Sequence, residues 1–241
     1  MNDQNFNIRV MTRAELDYAI EWAAEEGWNP GLYDADSFYS ADPGGFLIGS
    51  LGDKPVCCVS AVRYSNDFIF VGFFLVKPEY RGKRYAILHG KKVLEYLGNR
   101  VVGIDGVVGK LFFYKLIGFK LAFRSFRFMG TGGIQLKNDP EIVSIEKMPL
   151  KVFYRYDRPF FPADRKRFIK NWIRQKGSKS MALVIDGKIA GYGVIRPCYE
   201  GYKVGPLFAD NKNFARRIFE NLISIVPPDT HYYLDIPDAN N

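Results

Sequence analysis

The spacing of apolar and polar residues changes along the chain, and each change indicates a different element. Leu16, Ile20 and Ala23 fall on one face of a predicted helix, and the residues TRAE at 12–15 form a capping-box pattern in front of it. Later segments lose this helical spacing and form apolar runs bounded by turn residues, which is typical of buried strands. The pattern therefore predicts a fold in which helices pack on a sheet.

The first half of the chain alternates helix-like and strand-like segments in a defined order. Turn signals bound each segment, and the apolar run FIFVGFFLV is a long strand candidate. After the first helix, the predicted elements are a short helix at 35–40, a hairpin turning at 51–54, a strand at Phe68–Val76, a helix beginning at Tyr85, a strand at 100–108, a helix within 109–119 and an alternating strand at 120–128.

The second half repeats this order after a Gly-rich and polar stretch. We predict a first domain at 1–130, a linker at 131–141 and a smaller, degenerate second domain at 142–241 that arose by internal repetition. Its predicted elements are a helix at 164–175, a hairpin at 181–197 turning at Asp186 and Gly187, a strand at 202–208, a helix at 213–226 and a strand at 231–236. No counterpart of the segment 109–128 follows, so this half is either shortened or completed by packing.

The segment LVKPEYRGKRYA at 75–86 carries the most informative functional signal. A long strand leads into a turn that holds Lys77, Arg81, Lys83 and Arg84, and a helix begins directly after it. The first amides of a helix have no intrahelical partner and favour anions, and clustered cations add to that field. The segment therefore predicts an anion site, although a surface turn with solvated charges has the same composition.

This strand, loop and helix also resemble the acyl-CoA pyrophosphate loop of the GNAT superfamily of N-acetyltransferases, which reads Arg/Gln-x-x-Gly-x-Gly/Ala. Arg81 and Ala86 fit the pattern, whereas Arg84 stands in place of the first glycine. Arg84 either donates its backbone amide and adds a charge-assisted contact, or blocks the loop. The resemblance implies acetyl-CoA as co-substrate, bound by Phe74, Leu75, Val76, Arg81, Gly82, Lys83, Arg84, Tyr85, Ala86 and Lys115.

A second segment, GKLFFYKLIGF at 109–119, is similar to the family's Phe-Tyr-x-x-x-Gly-Phe helix. Phe113, Tyr114, Gly118 and Phe119 match it in order and spacing. The resemblance implies that Tyr114 is a general acid, while a core aromatic remains the alternative. It implies a GNAT acyl-CoA N-acyltransferase fold, an α+β fold with a mixed sheet, followed by a second GNAT-like half; the sequence GWNPG is similar to a two-domain bacterial subgroup.

The implied reaction is direct attack of a small molecule's primary amine on the thioester in a ternary complex. The amide of Val76 polarises the thioester carbonyl. Asp105, in an apolar strand pattern, is a candidate base or acceptor ligand, with a structural hydrogen-bonding role as the alternative. Trp28, Asn29 and Tyr33 occupy the segment that borders the acceptor in this family, and Trp28 fits a core position equally well.

Composition narrows the cellular setting. The 241 residues are 47% hydrophobic, contain no apolar run long enough to cross a membrane, and begin with a polar segment unlike a signal peptide. Cys57, Cys58 and Cys198 do not make a disulfide framework, so we expect buried thiols in a reducing cytoplasm. His89 and His231 lack the spacing of a zinc site, and we expect no metal.

The net charge of +8 is concentrated in part of the chain. In residues 1–60 the basic side chains are Arg9, Arg13 and Lys54, and the positive charge begins at the loop after Phe74. CoA phosphates account for this placement better than nucleic acid does. Two functions remain: an acetyl-CoA-dependent N-acetyltransferase acting on a small-molecule amine, and a non-catalytic acyl-CoA-binding or regulatory protein.

Overall fold

The computed structural model describes residues 5–136 and 139–240, so Lys137 and Asn138 of the predicted linker lie outside the described residues. The chain forms two compact units, and each unit is assembled from three segments that are separated in the sequence. Unit 1 consists of Met1–Pro30, Asp34–Asp105 and Pro162–Phe168, and unit 2 consists of Gly31–Tyr33, Gly106–Phe161 and Ile169–Asn241. The ends predicted for the two repeated halves, at residues 130 and 142, stay a prediction.

Unit 1 is built on a five-stranded sheet in the order β1-β2-β3-β4-β5. Neighbouring strands are antiparallel except β4 and β5, which are parallel because α3 connects them. The elements are β1 (Phe6–Val10), α1 (Leu16–Glu25), α2 (Asp34–Ala41), β2 (Phe46–Leu51), β3 (Lys54–Arg63), β4 (Phe68–Val76), α3 (Tyr85–Leu97) and β5 (Val101–Ile104).

Unit 2 contains a six-stranded sheet in the order β6-β11-β10-β9-β8-β7, in which β10 and β11 form the parallel pair. The helix α6 (Lys166–Trp172) crosses from unit 1 to unit 2 along the chain. The remaining elements are α4 (Leu111–Leu116), β6 (Ser125–Thr131), β7 (Ile142–Ser144), α5 (Leu150–Asp157), β8 (Lys179–Ile185), β9 (Lys188–Pro197), β10 (Tyr202–Ala209), α7 (Lys212–Ile223) and β11 (His231–Pro237).

The two sheets repeat one topology, which confirms the predicted GNAT-like second half. In each, a hairpin (β2–β3, then β8–β9) is followed by an antiparallel strand (β4, then β10), a helix (α3, then α7) and a parallel strand (β5, then β11). β1 and β7 pair antiparallel with the first hairpin strand in each case. The elements α4 and β6 have no second copy among the described residues.

The strand β6 belongs to the second sheet. Its residues 125–131 pair antiparallel with β11, from Ser125 opposite Pro237 to Thr131 opposite His231. The sequence predicted this strand at 120–128, so its position was wrong by several residues. Of the two alternatives for the second half, completion by packing describes the structure, because β6 supplies the strand next to β11.

Local signals set several boundaries as predicted. The Thr12 amide donates to the Glu15 carboxylate at 2.9 Å, and the Glu15 amide donates to the Thr12 hydroxyl at 3.3 Å, which confirms the capping box. Asp186 and Gly187 both have positive φ, at 49° and 74°, as a tight hairpin turn requires. Gly118 ends the α4 segment with φ of 97°.

The burial of the cysteines and the length of the helices bear on two further expectations. The thiols of Cys57, Cys58 and Cys198 are buried, and burial raises the pKa of Cys57 to about 12. In the described part of the chain, no helix has both the length and the apolar character needed to span a membrane.

Candidate active site

The candidate site begins where β4 separates from β5. The parallel pairing of β4 and β5 ends at Val71 and Ile104, while β4 continues to Val76. Opposite this stretch, Phe73 and Phe74 form a bulge against β3, and Phe73 has a φ of 47°. Among the described residues, no strand pairs with the β5 side of β4 beyond Val71, so the last residues of β4 have one open edge.

The amide of Val76 points toward that open edge. The Lys77 amide donates to the Val56 carbonyl at 3.0 Å, so Lys77 faces β3. Because successive amides of an antiparallel strand point in opposite directions, the Val76 amide points away from β3. Leu75 is 5% exposed with its side chain in the core, so any contact of Leu75 with a ligand would come from its backbone.

The loop after β4 combines a short 3-10 helix with a left-handed glycine. Residues Pro78–Tyr80 form the 3-10 turn, and Gly82 follows with φ of 72°. Arg84 is in the ordinary right-handed helical region, with φ of −72°, so its position requires no glycine backbone. In the family pattern the first glycine would stand at position 84. In this chain the positive φ that favours glycine occurs two residues earlier, at Gly82.

The helix α3 starts at Tyr85 without a side-chain cap. Arg84 occupies the N-cap position and makes no capping hydrogen bond with its side chain. The first amides of α3 therefore retain the positive end of the helix dipole facing the loop. Tyr85 is 8% exposed and packs against the rings of Phe6 and Tyr80, which fixes the first turn of the helix against the strand end.

Several of the basic side chains of the loop are held by contacts within unit 1. Arg81 donates from Nε to the Val76 carbonyl at 2.9 Å and forms an ion pair with Glu26 at the end of α1. Lys83 donates to the Glu79 carbonyl at 2.9 Å. Glu26 is a candidate site residue that the sequence did not indicate, because its proximity to Val76 arises only from the fold.

A small, shallow cleft lies beside this ion pair. Trp22 and Glu25 of α1 border it on one side, and Val76, Lys77 and Arg81 border it on the other. The Lys77 ammonium lies 5.5 Å from the centre of the Trp22 ring. The cleft places both acidic and basic groups within reach of the open end of β4.

His89 lies on the buried face of the same helix, α3. It is 1% exposed, its Nε2 has no hydrogen-bond partner among the described residues, and burial lowers its pKa to about 4. Its ring centre is 6.2 Å from that of Phe74, one of the bulged residues. A neutral imidazole therefore helps to pack α3 against the bulge at physiological pH.

Tyr114 belongs to unit 2, on α4. Its ring is half-buried and packs between Phe119 and the backbone of Gly106, where an added Cβ would overlap the ring. The Phe119 amide donates to the Tyr114 carbonyl at 3.0 Å, which closes the end of the helix. Lys115, one of the predicted cofactor contacts, is exposed on the same helix.

Asp105 does not lie inside a strand. The predicted strand at 100–108 ends at Ile104, and Asp105 is exposed just beyond it. The premise that burial perturbs this carboxylate was therefore wrong, because β5 ends one residue before Asp105. A role for Asp105 as base stays a prediction.

The predicted acceptor residues divide between the units. Trp28 packs against the core beside α1, and Asn29 is buried with a φ of 50°. Tyr33 belongs to unit 2, where the Lys176 ammonium lies 5.1 Å from its ring centre. Trp28 thus has the core position that the sequence left open as its alternative.

The equivalent place in unit 2 is built differently. Only Asp210 and Asn211 connect β10 to α7, whereas residues 77–84 connect β4 to α3. Asn211 caps α7 by accepting the Phe214 amide at 2.9 Å, and the Tyr156 hydroxyl donates to Asp210 at 2.7 Å. A capped helix with an adjacent carboxylate disfavours phosphate at this loop.

Family models identify both halves of the chain. A model described as "Acetyltransferase (GNAT) family" matches residues 12–119, and one described as "Acetyltransferase (GNAT) domain" matches residues 153–241. Together with the repeated topology and the loop after β4, these matches define a tandem acyltransferase fold. The chain belongs to the GNAT superfamily, with two GNAT domains.

Individual relatives agree with this assignment. Holothin acyltransferase from Pseudoalteromonas sp. (strain SANK 73390) is 29% identical over 97% of this chain and 80% of its own length. A Pyrococcus horikoshii protein described as an acetyltransferase has a TM-score of 0.76 at 20% identity, over 100% of this chain and 82% of its own. A tandem GNAT protein from the clavulanic acid biosynthesis pathway has a TM-score of 0.61 at 11% identity, over 98% and 91% respectively, and these two structures support the fold alone.

Proposed function

We propose that this chain transfers an acetyl group from acetyl-CoA to the primary amine of a small molecule, by direct attack in a ternary complex. Acyl transfer is the activity of the family and of the named relative. The observation that carries the proposal is the open edge of β4, where the Val76 amide and the uncapped N-terminus of α3 lie at the two ends of one loop. The first suits a thioester carbonyl and the second suits a pyrophosphate.

The loop residues have separate roles in this proposal. The left-handed Gly82 sets the path of the loop toward α3, and Lys83 and Arg84 add positive charge to the field of the uncapped amides. Arg81 positions the loop, since its guanidinium ties the Val76 carbonyl to Glu26. Replacing Arg81 removes both this bracing and one cation, so weaker acetyl-CoA binding is expected.

The proton balance of the reaction requires two groups. The acceptor amine has to lose a proton to attack, and the thiolate that leaves has to gain one. We assign the second role to Tyr114, as the family resemblance implies, with Phe119 and Gly106 holding its ring. Asp105 is kept as the candidate base, and its exposure favours proton exchange through water.

Holothin is a sensible first acceptor to assay, because the relative that bears its name matches 97% of this chain. A panel of primary amines with different ring sizes and charges would extend the search. Thiol release that depends on both acetyl-CoA and one amine is the expected result. Binding of acetyl-CoA without thiol release for any amine would favour the alternative, a non-catalytic acyl-CoA-binding protein.

Two variants test the residue assignments once an acceptor is found. Tyr114→Phe is expected to lower kcat about 100-fold while KM for acetyl-CoA changes little, since general-acid catalysis typically contributes that much or more. Arg81→Ala is expected to raise KM for acetyl-CoA. An unchanged kcat in the first variant at every pH would remove Tyr114 from the mechanism, and an unchanged KM in the second would contradict the loop assignment.

A further inference from the structure

The sheet of unit 2 ends in two different edge strands. At one edge, β7 has only three residues, and a very short edge strand is one way in which proteins keep a sheet from pairing with other chains. At the other edge, β6 has seven residues and pairs with β11 in unbroken register from Ser125 to Thr131. Among the described residues, no strand pairs with the outer side of β6. β6 is therefore a long open edge of this sheet.

The backbone groups of β6 alternate between the two sides of the strand. The Gly132 amide donates to the Thr230 carbonyl at 2.9 Å, just beyond the pair that Thr131 makes with β11. That pair is therefore a non-hydrogen-bonded one, in which both residues direct amide and carbonyl away from each other. Every second residue of the strand repeats this arrangement, so the amides and carbonyls of Ser125 and Met129 also point toward the open edge.

The α7 side of this edge is apolar and incompletely covered. Phe128 lies opposite Leu234, and Phe126 lies opposite Ile236. Leu234 packs into the core beneath α7, and residues that oppose each other on antiparallel strands point to the same face. Both phenylalanines therefore extend that core outward, yet Phe128 is 55% exposed and Phe126 is 52% exposed. The core of unit 2 thus ends in two half-exposed rings at the open edge.

β6 lacks the features that protect edge strands from pairing. Its sequence SFRFMGT contains neither lysine nor proline, and its register with β11 has no bulge. The side chain of Arg127 forms a two-point ion pair with Asp235 of β11, at 2.8 and 2.9 Å, so its charge is directed inward over the sheet. An exposed, regular and apolar edge of this kind favours the addition of another strand.

The residues around β6 also expose enough apolar surface for a stable dimer. Within residues 112–128 of unit 2, five phenylalanines are between 45% and 81% exposed: Phe112, Phe113, Phe123, Phe126 and Phe128. At about 200 Å² for each full side chain, they expose roughly 570 Å². A standard interface buries about 800 Å² per partner, of which about 520 Å² is apolar in a homodimer. The phenylalanines alone therefore supply the apolar area that a second copy has to cover.

We propose that β6 pairs with β6 of a second copy of this chain, antiparallel, across a two-fold axis at Phe128. Residue 128 is the centre of the strand, so this register opposes all of residues 125–131 and continues each sheet into the other. The outward amides and carbonyls of Ser125, Met129 and Thr131 gain partners. Phe128 of each copy lies opposite Phe128 of the other in a non-hydrogen-bonded pair, where side chains approach most closely.

The mass of the full chain in solution tests the dimer. Light scattering after gel filtration is measured over a range of loading concentrations. We expect the mass to rise from that of one chain to that of two and to stop there, because a two-fold pairing uses the β6 edge of both copies. A one-chain mass at every concentration would overturn the proposal, and so would a mass that continues to grow beyond two chains.

Met129→Pro tests the strand pairing separately from the apolar surface. Because the Met129 amide points outward, proline removes a hydrogen bond to the second copy and none to β11. Each dimer loses two such bonds, so we expect the dimer dissociation constant to rise about 30-fold or more. Met129→Ala is the control, since it keeps the amide and should form dimers like the wild type. Equal dimer formation by the proline and alanine variants would exclude strand pairing.

A pair of single cysteine variants tests the register. Phe128→Cys places two thiols on opposing residues whose Cα atoms are about 4.5 Å apart, within reach of a disulfide. Phe126→Cys is the matched control, because it lies on the same face with similar exposure, but its two copies are about 14 Å apart in this register. The native Cys57, Cys58 and Cys198 are buried. Under mild oxidation we expect a covalent dimer from Phe128→Cys alone; equal cross-linking of both variants, or none in either, would overturn the proposal.

Discussion

Replacing His89 by phenylalanine should change how the stability of this protein depends on pH. His89 is 1% exposed, its Nε2 has no partner among the described residues, and its pKa is lowered from 6.5 to about 4. The unfolded chain therefore binds more protons than the folded chain between these two values, and stability falls as the pH drops through that range. Phenylalanine removes the titration and keeps a ring of similar size.

The expected size follows from the two pKa values. Between pH 7 and pH 5 the loss attributable to His89 is about 2 kcal/mol, and below pH 4 it reaches about 3 kcal/mol. The free energy of unfolding in urea, measured at pH 7 and pH 5, should therefore fall by about 2 kcal/mol more in the wild type than in His89→Phe. At pH 7 the variant should be at least as stable, because a buried nitrogen without a partner is removed.

His231 provides the control, since it is the other histidine in the sequence and is exposed at the start of β11. His231→Phe introduces the same substitution at an exposed position, so it measures what the added phenylalanine does by itself. If His89→Phe loses as much stability as the wild type between pH 7 and pH 5, burial does not lower the pKa of His89 in the folded protein.

Three further predictions concern the loop, the tyrosine helix and the number of sites. Gly82→Ala and Gly52→Ala each place a methyl group in open space at positive φ, so both should cost about 1 kcal/mol of stability, but only Gly82→Ala should raise KM for acetyl-CoA, by about fivefold. Gly106→Ala should displace the Tyr114 ring and lower kcat tenfold or more, whereas Gly109→Ala, which meets no atom within 4 Å, should leave kcat unchanged. Calorimetric titration should give one acetyl-CoA bound per chain, and a second site of similar affinity would contradict the account of unit 2.

The elements around the cofactor loop were predictable because their signals are local. The apolar run that forms β4 begins and ends as expected at Phe68–Val76, and α3 begins at Tyr85 as expected. An uninterrupted apolar run followed by Pro78 and Gly82 leaves little freedom for the boundary. The bulge at Phe73 had no comparable signal, since it depends on how β3 and β4 pair.

Other features depend on contacts between distant parts of the sequence. The helix α5 was not predicted, although its sequence LKVFYRYD is amphipathic and buries Phe153 and Asp157 on one face, because a segment of eight residues shows little periodicity. The alternation in β6 indicated a strand but contained no information about its partner. Strand register and helix packing alone bring two pairs of residues together. Glu26 lies beside Val76, and Lys203 lies opposite Arg196.

The position of β6 bears on how such a gene can be divided. The two family matches, at 12–119 and 153–241, invite a cut between them. A fragment that starts at 142 would leave the β11 edge bare, because Ser125–Thr131 is encoded upstream of that cut. Recombination or truncation at the linker would thus separate a sheet from its own outermost strand, so a fragment that keeps the whole sheet of unit 2 has to begin before Ser125.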